Sequence, residues 1–263
     1  MKLPSKSLTG LAGLLYLFLY APLIVVVVFS FNAARHGASW QGFTLQWYGS
    51  LLENRLALEA AKNTLLLAAC STLIATGVGT TLGYGLSRRE MPGRGFLSRL
   101  LYLPVFIPDI VMAVALLLFF SVLRQWLGLF QLGLGTMIVA HVTFQIPFVA
   151  IVVRSRLAGL DPALKEAAQD LGADAWQAFW RVTLPLMMPG VLAGAMLAFT
   201  LSLDDFIVSF FTSGPGSTTL PILIYSSVKR GITPDINALS TLIVLASVLT
   251  AVSLTLLQRK RSG

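Results

Sequence analysis

Six long apolar runs punctuate the chain, at about 8–31, 62–87, 97–123, 134–153, 188–212 and 236–257. As helices rising 1.5 Å per residue, runs of about 20 residues cross a hydrocarbon layer of roughly 30 Å. Pro104 and Pro108 interrupt the third run, and the glycines of GLFQLGLG blur its end and the start of the fourth. The first run follows a short basic stretch, MKLPSK, like the start of a signal peptide. Its apolar length is about twice the usual signal core of 7–15 residues, which predicts a retained helix. The pattern therefore predicts an all-α integral membrane protein with six transmembrane helices in one domain, 1–263.

Composition agrees. The chain is 56% hydrophobic and 11% charged, with a mean hydropathy of +0.80, whereas soluble domains carry about 25% charged residues. A net charge of +8 and a pI near 10 raise nucleic acid as a partner, and the distribution of charge decides against it. With the N-terminus inside, 13 of the 19 Lys and Arg fall on the cytoplasmic side. They include Arg88, Arg89, Arg94 and Arg99, and the final Arg259, Lys260 and Arg261. Basic loops on one side set orientation, so both termini are expected in the cytoplasm and no nucleic acid is needed. The single cysteine, Cys70, lies within an apolar span and allows no intrachain disulfide.

The loops differ in what they are built to do. An outer loop with Trp40, Trp47 and Tyr48 has aromatics suited to the headgroup level, the alternative being contact with a partner. The outer GPGSTT lacks the Gly-Lys-Ser/Thr of a phosphate loop, and no nucleotide-binding motif occurs elsewhere. Any ATP must be bound by another subunit. The longest inner loop, RSRLAGLDPALKEAAQDLGADAWQAFWRVTLPLMMPG, carries strong helix signals. Asp161 is a good N-cap with Pro162 at the first helical position, and Gly172 is a suitable stop. Asp174 then caps a second helix that Pro185 bounds. Two short helices around a glycine hinge, over 161–185, make a docking element.

Within that loop EAAQDLGADAWQAFWRVTLP resembles the EAA motif of ABC importer permeases: Glu-Ala-Ala, three residues, Gly, nine residues, Ile-x-Leu-Pro. Glu166, Ala167, Ala168, Gly172, Leu184 and Pro185 match in register; Asp170 lies inside the motif, and Val182 replaces the usual Ile. YAPLIVVVVFSFN, WQGFTLQWY, PDIVMAVALLLFF, AHVTF, LAFTLSLDDFIVSFFTSGP and PDINALSTL extend the resemblance to permeases of the spermidine/putrescine type (PotC/PotI). The resemblance implies the type I importer permease fold, with the loop as coupling helices seated in a cleft of a cytoplasmic ATPase. It implies a non-enzymatic, channel-forming subunit of the bacterial inner membrane. The implied partners are a second related permease, two ATPase copies and an extracytoplasmic polyamine-binding protein. The chain itself would hold no cofactor, since ATP and magnesium belong to the ATPase.

Adjacent aspartates, Asp204 and Asp205, interrupt the fifth run, FTLSLDDFIVSFF. Each aspartate at the centre of a span costs about 2.5–3.5 kcal/mol on the insertion scale. On a continuous helix Asp205 falls on a stripe with Ser202, Ser209 and Thr212, so Asp205 is expected to face a wet substrate path, with Asp204 beside it. Asp109, after the two prolines, is a third candidate. Carboxylates along a pore offset the desolvation of ammonium groups, and apolar walls accept methylenes. The alternative is that the aspartates pair with other intramembrane polar groups and hold helices together. His141, with no second His at metal-ligand spacing, reads as hydrogen-bonded within the bundle. No nucleophile–base set or metal cluster appears. A permease for another cationic or small solute shares the docking loop, whereas a secondary transporter leaves that loop unexplained.

Overall fold

The computed structural model describes residues 5–34, 39–88, 91–161, 163–230 and 234–245, with no strand among them. Its helices are α1 (Ser5–Phe29), α2 (Gln46–Glu53), α3 (Arg55–Ser87), α4 (Arg94–Phe106), α5 (Asp109–Leu127) and α6 (Leu134–Ala158). They continue as α7 (Ala163–Asp170), α8 (Ala175–Ala178), α9 (Leu184–Asp204), α10 (Ile207–Thr212), α11 (Leu220–Arg230) and α12 (Pro234–Leu245). Five helical stretches are long and apolar enough to cross a membrane. The sixth run begins with α12, and its remainder lies outside the described residues. So do Pro162 and the basic residues at the C-terminus. The chain parts into two compact units, 59–222 and 1–58 with 223–263.

In the unit 59–222, α6 is the central helix, with half of its most apolar stretch buried. Lipid tails are as apolar as leucine, so helices in a membrane associate through close packing, and small residues make that packing possible. Two Gly-x-x-x-Gly runs do this: Gly79–Gly83 on α3 and Gly190–Gly194 on α9. A Cβ on Gly79 would stand 2.7 Å from Val149 Cβ, and one on Gly83 2.7 Å from the Ala150 carbonyl oxygen. One on Gly190 would stand 2.6 Å from Arg156 Cβ. Both partner helices are thereby drawn against α6, burying Val149, Val153, Met187 and Ala198 together. Leu101 of α4 joins Leu86 and Ala150, while Ala113 and Phe120 of α5 pack with Ala140 and Val208.

Two of the expected spans are not single helices. The run 97–123 is divided into α4 and α5, because Ile107 turns extended (ψ 130°) before Pro108. Proline crowds the residue before it out of the α region, and its own missing N–H begins a new helix without loss. The run 188–212 is broken after Asp204, where Asp205 is extended (ψ 123°), and α10 follows. At its other end the fifth span does not stop at Pro185. Helix is continuous from Ala175 to Asp204, passing through a π-helical turn at Phe179–Thr183. Pro185 offers no N–H to the carbonyl four residues back and crowds it; the wider π turn just before absorbs that conflict.

In the other unit, the loop between α1 and α2 folds around buried Asn32. Its Nδ2 donates to the Ser39 carbonyl at 2.8 Å, and its Oδ1 accepts from the Gln41 and Ala34 amides at 2.9 and 3.2 Å. Trp47 Nε1 donates to the Asn32 carbonyl at 2.7 Å, and the Tyr48 hydroxyl lies 2.7 Å from Ser30 Oγ. The polar ends of Trp47 and Tyr48 are therefore engaged inside the loop. Trp40 remains half-exposed.

Candidate functional site

A break in a helix surrounded by apolar residues leaves backbone N–H groups without partners, each costing several kcal/mol in lipid. Asp205 answers that need. Its Oδ2 accepts from the Ser209 amide at 2.7 Å and its Oδ1 from the Val208 amide at 3.3 Å, so that it caps the first turn of α10 from the residue before the N-cap position, Phe206. Its side chain is 12% exposed and is aimed at α6, where His141 Nε2 stands 3.4 Å from Oδ2. The helical stripe proposed for Asp205 does not exist, because the chain leaves the helix at that residue.

His141 spans the break. Nδ1 is 2.7 Å from Ser202 Oγ, three residues before Asp205, and Nε2 is 3.0 Å from Ser209 Oγ, four residues after it. A hydroxyl donates or accepts as the ring tautomer requires, so both bonds are made in either form. The network runs on into α3: Ser202 Oγ lies 3.3 Å from Ser71 Oγ, to which Gln145 Nε2 donates at 3.2 Å. Gln145 Nε2 also donates to the Ala198 carbonyl at 3.0 Å. Ser71, His141, Gln145, Ser202 and Ser209 are all buried. Ser202, Asp205 and Ser209 of the fifth run are thus gathered inside the unit, around a histidine. Asp204 and Asp109 differ from Asp205: both are exposed. Asp204 ends α9 and Asp109 opens α5, each next to a break in the helix.

The second element is the loop between α6 and α9. Asp161 Oδ1 accepts from the Ala163 amide at 2.9 Å, and Asp174 Oδ1 from the Gln177 amide at 2.7 Å, so both caps form. Gly172 takes a positive φ of 88°. Around it the Ala173 amide donates to the Ala168 carbonyl at 3.0 Å and the Gly172 amide to the Gln169 carbonyl at 2.9 Å. This is the glycine-dependent closure of a helix C-terminus. Glu166, Ala167, Ala168 and Asp170 ride on α7, and Leu184 packs at the buried cluster of α6 and α9. Leu171, just before the turn, is 90% exposed, and Trp176 on α8 is 69% exposed. Neither was singled out in the sequence, although an apolar residue just before a helix-ending glycine is the available signal. Phe179 of the π turn meets Tyr84 of α3 with ring centroids 5.0 Å apart. The loop is thus a folded element joined to α3 by an aromatic contact and to α9 by unbroken helix.

A folded loop between α6 and α9 and a polar break in an otherwise apolar helix fit a membrane transport component. Residues 75–260 match the family described as binding-protein-dependent transport system inner membrane component. The chain belongs to that family. It is 41% identical over 253 residues to the spermidine/putrescine transport system permease protein PotC of Escherichia coli (strain K12), covering 96% of this chain and 94% of that one. It is 42% identical over 232 residues to the putrescine transport system permease protein PotI of the same strain, covering 87% and 82%. Among solved structures, a bacterial ABC transporter involved in import of the acidic polysaccharide alginate has a chain similar in fold. Its TM-score is 0.74 at 22% identity, over 95% of this chain and 94% of that one. Membership removes the secondary-transporter alternative and makes the chain one component of a system that includes a binding protein.

Proposed function

We propose that this chain forms half of the translocation pathway of an ATP-driven polyamine importer. The observation that carries the reading is Asp204, an exposed carboxylate at the break in the fifth apolar run. Similarity along almost the full length to polyamine permeases supports the substrate class. Polyamines are ammonium groups separated by methylenes, so a route for them needs spaced carboxylates between apolar walls, weak enough to let the cargo leave. Asp204 and Asp109 meet ammonium groups, and Asp205 holds the break that presents Asp204. A second, related permease completes the path, an extracytoplasmic binding protein delivers the polyamine, and two ATPase subunits take up the coupling loops. Glu166, Ala167, Ala168, Asp170 and Gly172 shape that loop, Leu171 and Trp176 offer it apolar contact, and Leu184 and Pro185 join it to α9. Both termini lie in the cytoplasm. The test is uptake of spermidine, putrescine and a neutral solute by the reconstituted complex, with ATPase stoichiometry measured in the same preparation. Uptake of the two polyamines alone is expected; equal uptake of the neutral solute removes the cation reading.

A further inference from the structure

Beside the coupling loop, a cleft of about 410 Å³ opens between the last turns of α3 and α6, the start of α4 and the π turn. Tyr84, Leu157 and Leu164 give it apolar walls, and Arg88, Arg94 and Arg154 give it guanidiniums. A positive-inside loop needs arginines only in water, yet Arg94 and Arg154 are half-buried. Arg154 Nη1 donates to Ser98 Oγ at 3.3 Å, and Arg88 lies over the Tyr84 ring, 5.2 Å from its centroid. Neither contact neutralises a charge. Among the described residues none of the three has an ion-pair partner, the sole pair being His141–Asp205. Asp161 is the acid in the lining, and its Oδ1 is already engaged by the Ala163 amide. The described lining therefore keeps a net positive charge.

A partly desolvated guanidinium is costly without an anion, and its forked donors fit phosphate oxygens in pairs. We propose that Arg88, Arg94 and Arg154 bind a phosphate group, carried by the headgroup of an anionic phospholipid or present as a free phosphate. The apolar walls suit the glycerol and first methylenes of a lipid; a free anion uses the guanidiniums alone. Because the cleft lies where the coupling loop leaves α6, occupation ties the root of the lever to α3 and α4.

The full chain in nanodiscs of phosphatidylcholine, with or without phosphatidylglycerol, tests this. Native mass spectrometry counts retained phosphatidylglycerol, and phosphorus NMR reads inorganic phosphate titrated into phosphatidylcholine discs. We expect binding in at least one arm, and the arm that responds identifies the source. The paired variant Arg94→Gln/Arg154→Gln is expected to weaken it about a hundredfold, the scale of losing two charge-assisted hydrogen bonds. Arg124→Gln, in the last turn of α5 away from the cleft, should leave it unchanged. If the glutamine pair fails to fold, Arg94→Lys/Arg154→Lys keeps the charge, loses the fork and should still bind more weakly. Binding in neither arm overturns the site, as does binding equally strong in a folded paired variant. Absence of anion binding together with loss of copurifying ATPase in the glutamine pair makes the cleft a protein-docking surface, which also refutes the proposal.

Discussion

Asp204 and Asp205 are neighbours in sequence with opposite surroundings, one exposed and the other turned to His141 and two backbone amides. Substitution should separate them. Asparagine caps a helix nearly as well as aspartate, whereas alanine costs about 0.5–2 kcal/mol at such a position. Asp205→Ala is therefore expected to lower the melting temperature of the purified protein, and Asp205→Asn to preserve most of it. Asp204→Asn should melt normally and lose polyamine uptake. A thermally normal Asp205→Asn that transports nothing, beside an active Asp204→Asn, would assign substrate contact to the buried carboxylate instead. His141 belongs to the same argument. His141→Ala removes a buried partner from Ser202, Ser209 and the Asp205 carboxylate together, and losing a hydrogen bond at a buried polar group costs about 1–3 kcal/mol. His141→Gln is expected to recover part of that loss, because its amide reaches one serine at a time. Unchanged stability in both variants would mean that the break stands without its clasp. The aspartates were visible in the sequence as an expense needing a reason; the histidine meeting one of them was not, because 64 residues separate them and only the packing of α6 against α9 brings them together.

Helices chosen by their hydrophobic runs were legible where the runs were uninterrupted, as in α6, and both caps of the loop between α6 and α9 followed from Asp161 and Asp174. Breaks were harder to read, because they depend on competition between a continuing apolar pattern and one local conflict. Pro108 wins that competition and ends α4. Pro185 loses it, since a π turn lets the helix pass. The Asp205 break has no proline at all and rests on side-chain capping. Two element-level expectations follow. Gly172→Ile places a β-branched residue at a φ of 88°, where left-handed backbone costs a residue with a Cβ about 1–2 kcal/mol. It should leave the protein in the membrane while ATP hydrolysis proceeds without uptake; substrate-stimulated hydrolysis with normal uptake would refute the lever. Gly83→Leu drives a side chain into the Ala150 carbonyl. Overpacking of this kind costs about 1–3 kcal/mol or more, so it should reduce folded protein measured by fluorescence-detected gel filtration. A wild-type profile would show that α3 and α6 do not depend on that close approach.

At the scale of the molecule, every functional role depends on which end of the bundle faces the cytoplasm. The loop between α6 and α9, with Arg154, Arg156 and Arg181 in and beside it, and the α3–α4 connection, with Arg88 and Arg94, carry basic residues that resist translocation. Gly216 and the loop around Asn32 sit at the other ends of α10 and α1 in the chain order. Cysteine labelling with a membrane-impermeant maleimide, in a Cys70→Ser background, checks the orientation. Cysteines placed at Gly93 and Leu160, and near both termini, are expected to react only after the membrane is opened. Cysteines at Gln41 and Gly216 should react in intact cells. The two outer positions test different things. Gln41 reports the first span, and Gly216 reports whether the fifth apolar run crosses completely despite its break. If Gly216 is protected in intact cells while Gln41 is labelled, the run returns to the inner face at Asp205. Asp204 would then face the cytoplasmic side, and its proposed place on the path of an incoming polyamine would fall with it.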